Sequence, residues 1–195
     1  MGDLWNPFST QSSALSPHYC FEEEDFPWRQ LFPRHGRASL FGNVDHKPSP
    51  VQTLAYKHGS ILVRSGFSEE KLQPVGVNPT RSPDWSFELN VIFPCSFVAV
   101  SEGTYFTHQF LPVSVDKTLW ESTTYYPKAH SPAQRFSQAY SRIIFRDIFL
   151  EDGRTIEETQ AMLSSGAKKE LYLKDEELLI RHSLHAVQQM IDAAE

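Results

Sequence analysis

The chain has 195 residues, 40% hydrophobic and 13% aromatic, with a formal net charge of −6. That is the size of one domain with ample apolar material for a core, which excludes a disordered chain. The acidic balance offers no basic footprint for nucleic acid, and no apolar run approaches the roughly 20 residues of a membrane helix.

Residues 1–33 read as an irregular lead-in. They are Ser/Thr/Pro-rich at first, then acidic at Glu22-Glu23-Glu24-Asp25, then Phe26-Pro27-Trp28. The N-terminus has no positive region followed by an apolar one, so no secretory leader is expected. The two cysteines, Cys20 and Cys95, lie far apart and in no metal-binding or cluster-binding spacing. Two reduced thiols in a cytoplasmic protein is the simplest reading.

A single domain is expected over 34–195. Strands are predicted at Arg37 to Val44 and Val51 to Tyr56, on either side of the Pro-rich turn Lys47-Pro48-Ser49-Pro50, and at Ser60 to Arg64. Trp85, Phe87, Leu89 and Val91 alternate with Ser86, Glu88 and Asn90, the period of a half-buried strand with its polar face in solvent. Phe97 to Val100, Tyr105 to Leu111 and Thr118 to Tyr126 continue the series, with turns at Gly103 and Asp116-Lys117.

The last third reads as helix. Ser131-Pro132 is an N-cap followed by proline at the first helical position, and Phe136, Tyr140, Ile143, Ile144 and Ile148 recur at helical spacing. A second, short helix is predicted with Glu151-Asp152 at its head, Ile156, Thr159, Gln160 and Leu163 on one face, and Gly166 at its end. A third opens at Asp175 with Glu176 and Glu177 in its first turn, and an inner stripe of Leu179, Ser183, Val187, Met190 and Ile191. Strands succeeded by helices argue for an α+β fold. The expected architecture is a helix-grip (START-like) antiparallel sheet packed against a long C-terminal helix.

Several short motifs keep a recognisable order. Phe93-Pro94 ends one strand, Phe110-Leu111-Pro112 another, and Tyr125-Tyr126-Pro127-Lys128 leads out of the sheet. Glu151-Asp152 is followed by Gln160, and Glu177-Leu178-Leu179-Ile180-Arg181-His182 lies in the closing helix. From about Trp85 to Met190 this pattern resembles the mononuclear-iron catalytic domain of Rieske-type non-haem iron oxygenases, the ring-hydroxylating dioxygenase alpha subunits and their monooxygenase relatives. Cys95 departs from it, standing where many relatives carry Asn after Phe-Pro.

The resemblance implies Fe(II) held by two His and one carboxylate, with open positions for oxygen and substrate. It assigns the carboxylate to Asp152; read from the residues alone, Asp152 serves equally well as a helix cap. The two His of the family come from an Asp-x-x-His followed four or five residues later by a second His, upstream of the sheet. No such element occurs here: Asp45-His46 and His58 have the wrong spacing, and His18 and His35 stand alone. A Cys-x-His with a downstream Cys-x-x-His is also absent, so no 2Fe–2S cluster is expected in this chain.

The resemblance therefore implies an oxygenase catalytic-domain homologue, acting on a small organic substrate when complete and without turnover alone. Phe106, Phe110, Trp120 and Gln160 are the candidate substrate contacts, and Asp152 the candidate metal ligand. The expected partner is a complete oxygenase subunit or a chain supplying the Rieske domain. Two readings of other classes stay open: a non-catalytic helix-grip module binding an apolar small molecule, and an accessory subunit of a complete oxygenase. His182 and His185, three residues apart, read as a wet helix face and a sheet contact rather than a metal pair.

Overall fold

The computed structural model describes residues 28–59, 74–168, 170, 172–174 and 177–194. Six strands, β1 (Trp28–Leu31), β2 (Gly36–Phe41), β3 (Trp85–Ile92), β4 (Ser96–Ser101), β5 (Thr104–Ser114) and β6 (Lys117–Tyr125), form one sheet in sequence order. Every neighbouring pair is antiparallel. A meander of this kind needs only short turns between successive strands. The one long excursion lies between β2 and β3 and includes helix α1 (Pro50–Tyr56). Helices α2 (Pro132–Ser164) and α3 (Leu178–Asp192) come after the sheet. The α+β helix-grip expectation holds.

The period-two pattern places Ala38 and Leu40 of β2, Phe87 of β3, Ala99 of β4 and Phe106 of β5 in one buried cluster with Phe145 of α2. Leu89, Phe97, Phe149 and Leu179 pack around it. Thus α2 lies along the sheet, and α3 docks on β2. Leu179 sits where a side chain on Gly36 would stand, 2.6 Å from an added Cβ, so glycine is what permits this approach. His182 Nε2 lies 2.7 Å from the carbonyl of Phe32, in the turn between β1 and β2, and His185 is exposed.

Several local expectations are corrected. Val51–Tyr56 is helix, not strand. Pro50 sits at the first helical position, and Ser49 and Gln52 close a reciprocal capping box, which outweighs the β preference of Val51, Thr53 and Tyr56. Trp28–Leu31, within the stretch read as irregular, forms the edge strand β1. Ser60 to Arg64 lies outside the described residues.

The two helices predicted over 132–164 are one. Ser131 caps α2 as expected, its Oγ accepting from Gln134 N at 3.1 Å, and the helix runs 33 residues to a C-cap at Ser165, with Gly166 at φ +68°. Glu151 and Asp152 therefore lie inside it and cap nothing. A helix-interior glycine costs about 1 kcal/mol against alanine. Gly153 is tolerated where the helix passes over Trp120, whose Cζ3 is 3.6 Å from an added Cβ.

In α3 the inner stripe holds at Leu179 and half-buried Ser183, then passes through buried Ala186 rather than Val187, Met190 and Ile191, which are exposed. Glu177 is its N-cap residue. Asp175 and Glu176 lie outside the described residues.

The largest correction concerns the polar side of β3. Glu88 is fully buried. Its carboxylate accepts from Arg37 Nε (3.1 Å), Ser39 Oγ (2.7 Å), Asn78 N (2.8 Å) and Trp85 Nε1 (3.2 Å). A bulge between Leu40 and Phe41 inserts Ser86 as an extra residue of β3. Trp85 therefore reaches Glu88 instead of joining Phe87 on the helix side.

Candidate functional site

In-register pairing builds an aromatic layer on the helix-facing side of the last strands. Phe106 lies opposite Thr124, His108 opposite Ser122, and Phe110 opposite Trp120. Phe97 of β4 pairs with His108, and Phe145 and Phe149 of α2 close the layer from above. Trp120 and Phe110 stack with centroids 5.7 Å apart, and the Phe149 ring meets both His108 (4.7 Å) and Trp120 (5.9 Å). Such offset and edge-on contacts are the favourable geometries for aromatic pairs.

Two grooves open from this layer. One, with a volume of about 430 Å³, runs beside Cys95, Phe97, Phe110 and Pro112. The other, of about 400 Å³, lies between β6 and α2, lined by Trp120, Ser122, Thr124, Arg142, Phe145 and Phe149, among others. Three of the residues named from sequence as substrate contacts, Phe106, Phe110 and Trp120, thus share one layer. Gln160 is engaged elsewhere: its Nε2 donates to Ser164 Oγ at 3.0 Å along the helix.

His108 is the residue that sequence reading missed. It lies on β5 among the aromatics, 2% exposed, and its Nδ1 accepts from Trp120 Nε1–H at 2.8 Å. A neutral imidazole that accepts at Nδ1 carries its proton on Nε2. Burial lowers its pKa from 6.5 to about 4. The only sequence signal was its place on the inward side of the alternation Phe106-Thr107-His108-Gln109-Phe110.

This sets a pH dependence with a defined sign. Between pH 6.5 and about 4 the unfolded chain holds a proton on this residue that the folded chain refuses. The stability it contributes is full above pH 6.5 and is lost as the pH falls to 4, an effect of up to about 3 kcal/mol. Denaturant melts at pH 7 and pH 4.5 should show this loss in an Asp152→Asn background, which removes the opposing titration of that carboxyl. His108→Asn keeps an acceptor for Trp120 and removes the titration, so it should flatten that difference.

Asp152 is three residues past Phe149 and seven past Phe145, which places it on the same sheet-facing side of α2. Burial, reinforced by the charge of Glu151, raises its pKa from 3.8 to about 6. Its carboxylate makes no hydrogen bond or ion pair with any other described residue. A desolvated carboxylate without a partner is destabilising, and such groups concentrate at functional sites.

The donors for a metal do not gather round it. Among the described residues no three His, Cys, Asp or Glu side chains converge. His46 packs on Tyr56, which packs on Tyr140 of α2. His58 precedes Gly59, whose carbonyl accepts from Ser137 Oγ. Tyr140 and Ser137 precede Asp152 by twelve and fifteen residues, a rise of about 18 and 22 Å along α2. Helix α1, between β2 and β3, carries no His, and its N-cap Ser49 and Gln52 are occupied with each other. The described residues therefore do not fit a three-donor iron site.

No helix among the described residues is long and apolar enough to cross a membrane. No curated protein and no solved structure matches the chain significantly. The family described as "Ring hydroxylating alpha subunit (catalytic domain)" matches residues 16–193, extending the resemblance well upstream of Trp85. With nearly its whole length matched, the chain belongs to the catalytic-domain family of ring-hydroxylating oxygenase alpha subunits.

Proposed function

We propose that this chain is a substrate-binding oxygenase domain that takes a small organic molecule at its aromatic layer and does not hold catalytic iron by itself. The observation that carries this is Asp152, a half-buried carboxylate left unpartnered among the described residues on the sheet-facing side of α2. In this reading Asp152 is the carboxylate of the family's iron site. The imidazoles, the 2Fe–2S cluster and the electron supply come from a complete oxygenase chain or a chain bearing the Rieske domain. Phe106, Phe110 and Trp120 position the substrate and exclude water. His108, with Nδ1 engaged by Trp120 and its proton on Nε2, holds the indole in place and offers no lone pair to a metal.

The test is anaerobic titration of the purified chain with Fe(II), alongside Asp152→Asn. The expected result is no stoichiometric binding at micromolar metal in either protein, since one carboxylate is a weak site for Fe(II). Stoichiometric binding that disappears in Asp152→Asn would overturn the incomplete-site reading and show that this chain closes the centre unaided. Oxygen uptake coupled to product formation by the chain alone would count against the proposal in the same way.

A further inference from the structure

We infer that strand β6 is a self-pairing edge: two copies of the chain join β6 to β6 in antiparallel register about Leu119, so that one sheet runs through both copies. The two edges of the sheet differ in length. β1 offers four residues, whereas β6 offers nine, Lys117–Tyr125, and among the described residues only β5 pairs with it. A long edge strand presents a row of unused N–H and C=O groups, which folds blunt with proline, bulges or charge. β6 has no proline or glycine, and its only charged residues are Lys117 and Glu121. The bulge of this hairpin falls at Val113 on β5 and leaves β6 regular.

The outer face of this edge is apolar at its centre. Trp120, Ser122 and Thr124 face α2, so Lys117, Leu119 and Glu121 stand on the opposite side of the strand. Leu119 is 55% exposed, and Leu111, its in-register neighbour on β5, is 43% exposed. β4 pairs with β5 only as far as Gln109, so the two leucines lie on a two-stranded extension of the sheet. A ribbon of two strands is marginal in water until a further strand or layer supports it.

Charge selects the second copy as the occupant and fixes the register. In an antiparallel pair related by a two-fold axis through Leu119, Lys117 of each copy lies opposite Glu121 of the other, and Leu119 meets Leu119 on the axis. The Leu111–Leu119 pair of one copy then continues into that of the second, and on the helix-facing side Thr118 meets Trp120. Other registers lose this match. Centring on Glu121, the middle of the strand, sets two carboxylates face to face, and centring on Trp120 sets Leu119 against Glu121. Neither Lys117 nor Glu121 forms an ion pair with a described residue, so the self-pair gives each its counter-charge. A foreign strand would need the same spacing of opposite charges; a second copy has it by symmetry.

The test is sedimentation velocity of the full chain over a concentration series up to about 500 μM, a range that captures a weak dimer. The wild type is expected to pass from monomer to dimer. Lys117→Glu and Glu121→Lys should each weaken the dimer about tenfold, because each sets like charges together at two symmetric positions. The double variant carrying both reversals restores the match and should return to within about threefold of the wild type. Leu119→Lys, which puts two cations on the axis, should leave the chain monomeric. A wild type that stays monomeric throughout, even if it pairs with a complete oxygenase chain, would overturn the proposal. So would single reversals that leave the dimer unchanged, or a double variant as weak as either single one. Circular dichroism melts check that each variant is folded; should one reversal fail to fold, the other reversal and Leu119→Lys still decide the result.

Discussion

Replacing Glu88 by Ala is expected to destabilise the fold by about 3–5 kcal/mol, the range for removing one partner of a buried ion pair. Glu88 has no exposure and collects four donors from three places: Arg37 and Ser39 on β2, the Asn78 backbone before β3, and Trp85 across the bulge. Arg37 is also held from outside, its Nη2 donating to the Gly76 carbonyl at 2.6 Å and its Cζ lying 5.0 Å from the Trp28 ring. Removing the carboxylate strands a guanidinium, a hydroxyl, an amide and an indole N–H together, so the loss exceeds that of one hydrogen bond. Glu88→Gln keeps one acceptor oxygen but turns N–H groups toward N–H donors, and should fall between Ala and wild type. Urea melts give the ordering. If Glu88→Ala costs less than about 1 kcal/mol, the hub does not tie β1, β2 and the 74–84 segment to the sheet.

Asp152→Asn is expected to act in the opposite direction. Its carboxyl titrates near 6 in the folded protein against 3.8 for the ordinary group. A raised folded pKa means that the native state keeps a proton that the unfolded chain has released, so stability falls as the pH rises from about 4 to 6 and stays reduced above that. Asparagine has the same shape without the charge. In metal-free protein at pH 7.5 it should therefore raise stability by about 1–3 kcal/mol, after allowing for the residue's partial exposure. At pH 4, where the native aspartic acid is already neutral, the two proteins should melt together. A carboxylate kept at a cost to stability is what a functional position looks like. Destabilisation by Asp152→Asn at pH 7.5 would mean that the carboxylate has a stabilising partner, and would remove the support for its role at a metal site.

The Asp152 and His108 effects have opposite signs and overlap near pH 4–6, so each is read from its own variant rather than from the wild-type curve. Their neighbourhood also explains why the aromatic layer is dry enough to shift both groups. Phe106 is nearly fully buried, and Phe149 packs on both His108 and Trp120. Desolvation is the first cause of each shift.

What the sequence determined by itself was whatever depends on near neighbours in the chain. The alternation from Trp85 onward gave β3 to β6, because a strand sends successive side chains to opposite faces whatever lies beyond them. Ser131-Pro132 and Gly166 marked the ends of α2 through their own backbone preferences. The motifs running to the closing helix carried the family. The tertiary structure decided what depends on partners distant in sequence. Glu88 reads as a solvent-facing residue until Arg37, Ser39 and Asn78 are brought against it, 10 to 51 residues away. Gly153, a weak helix former, lies inside the helix where α2 passes over Trp120. Asp152 reads as a cap until the continuous helix moves it to an interior turn, where burial raises its pKa and no described side chain answers it. Local pattern fixes which face a residue takes; only packing fixes what meets it there, and the chemistry of this site lies in the groups that meet nothing.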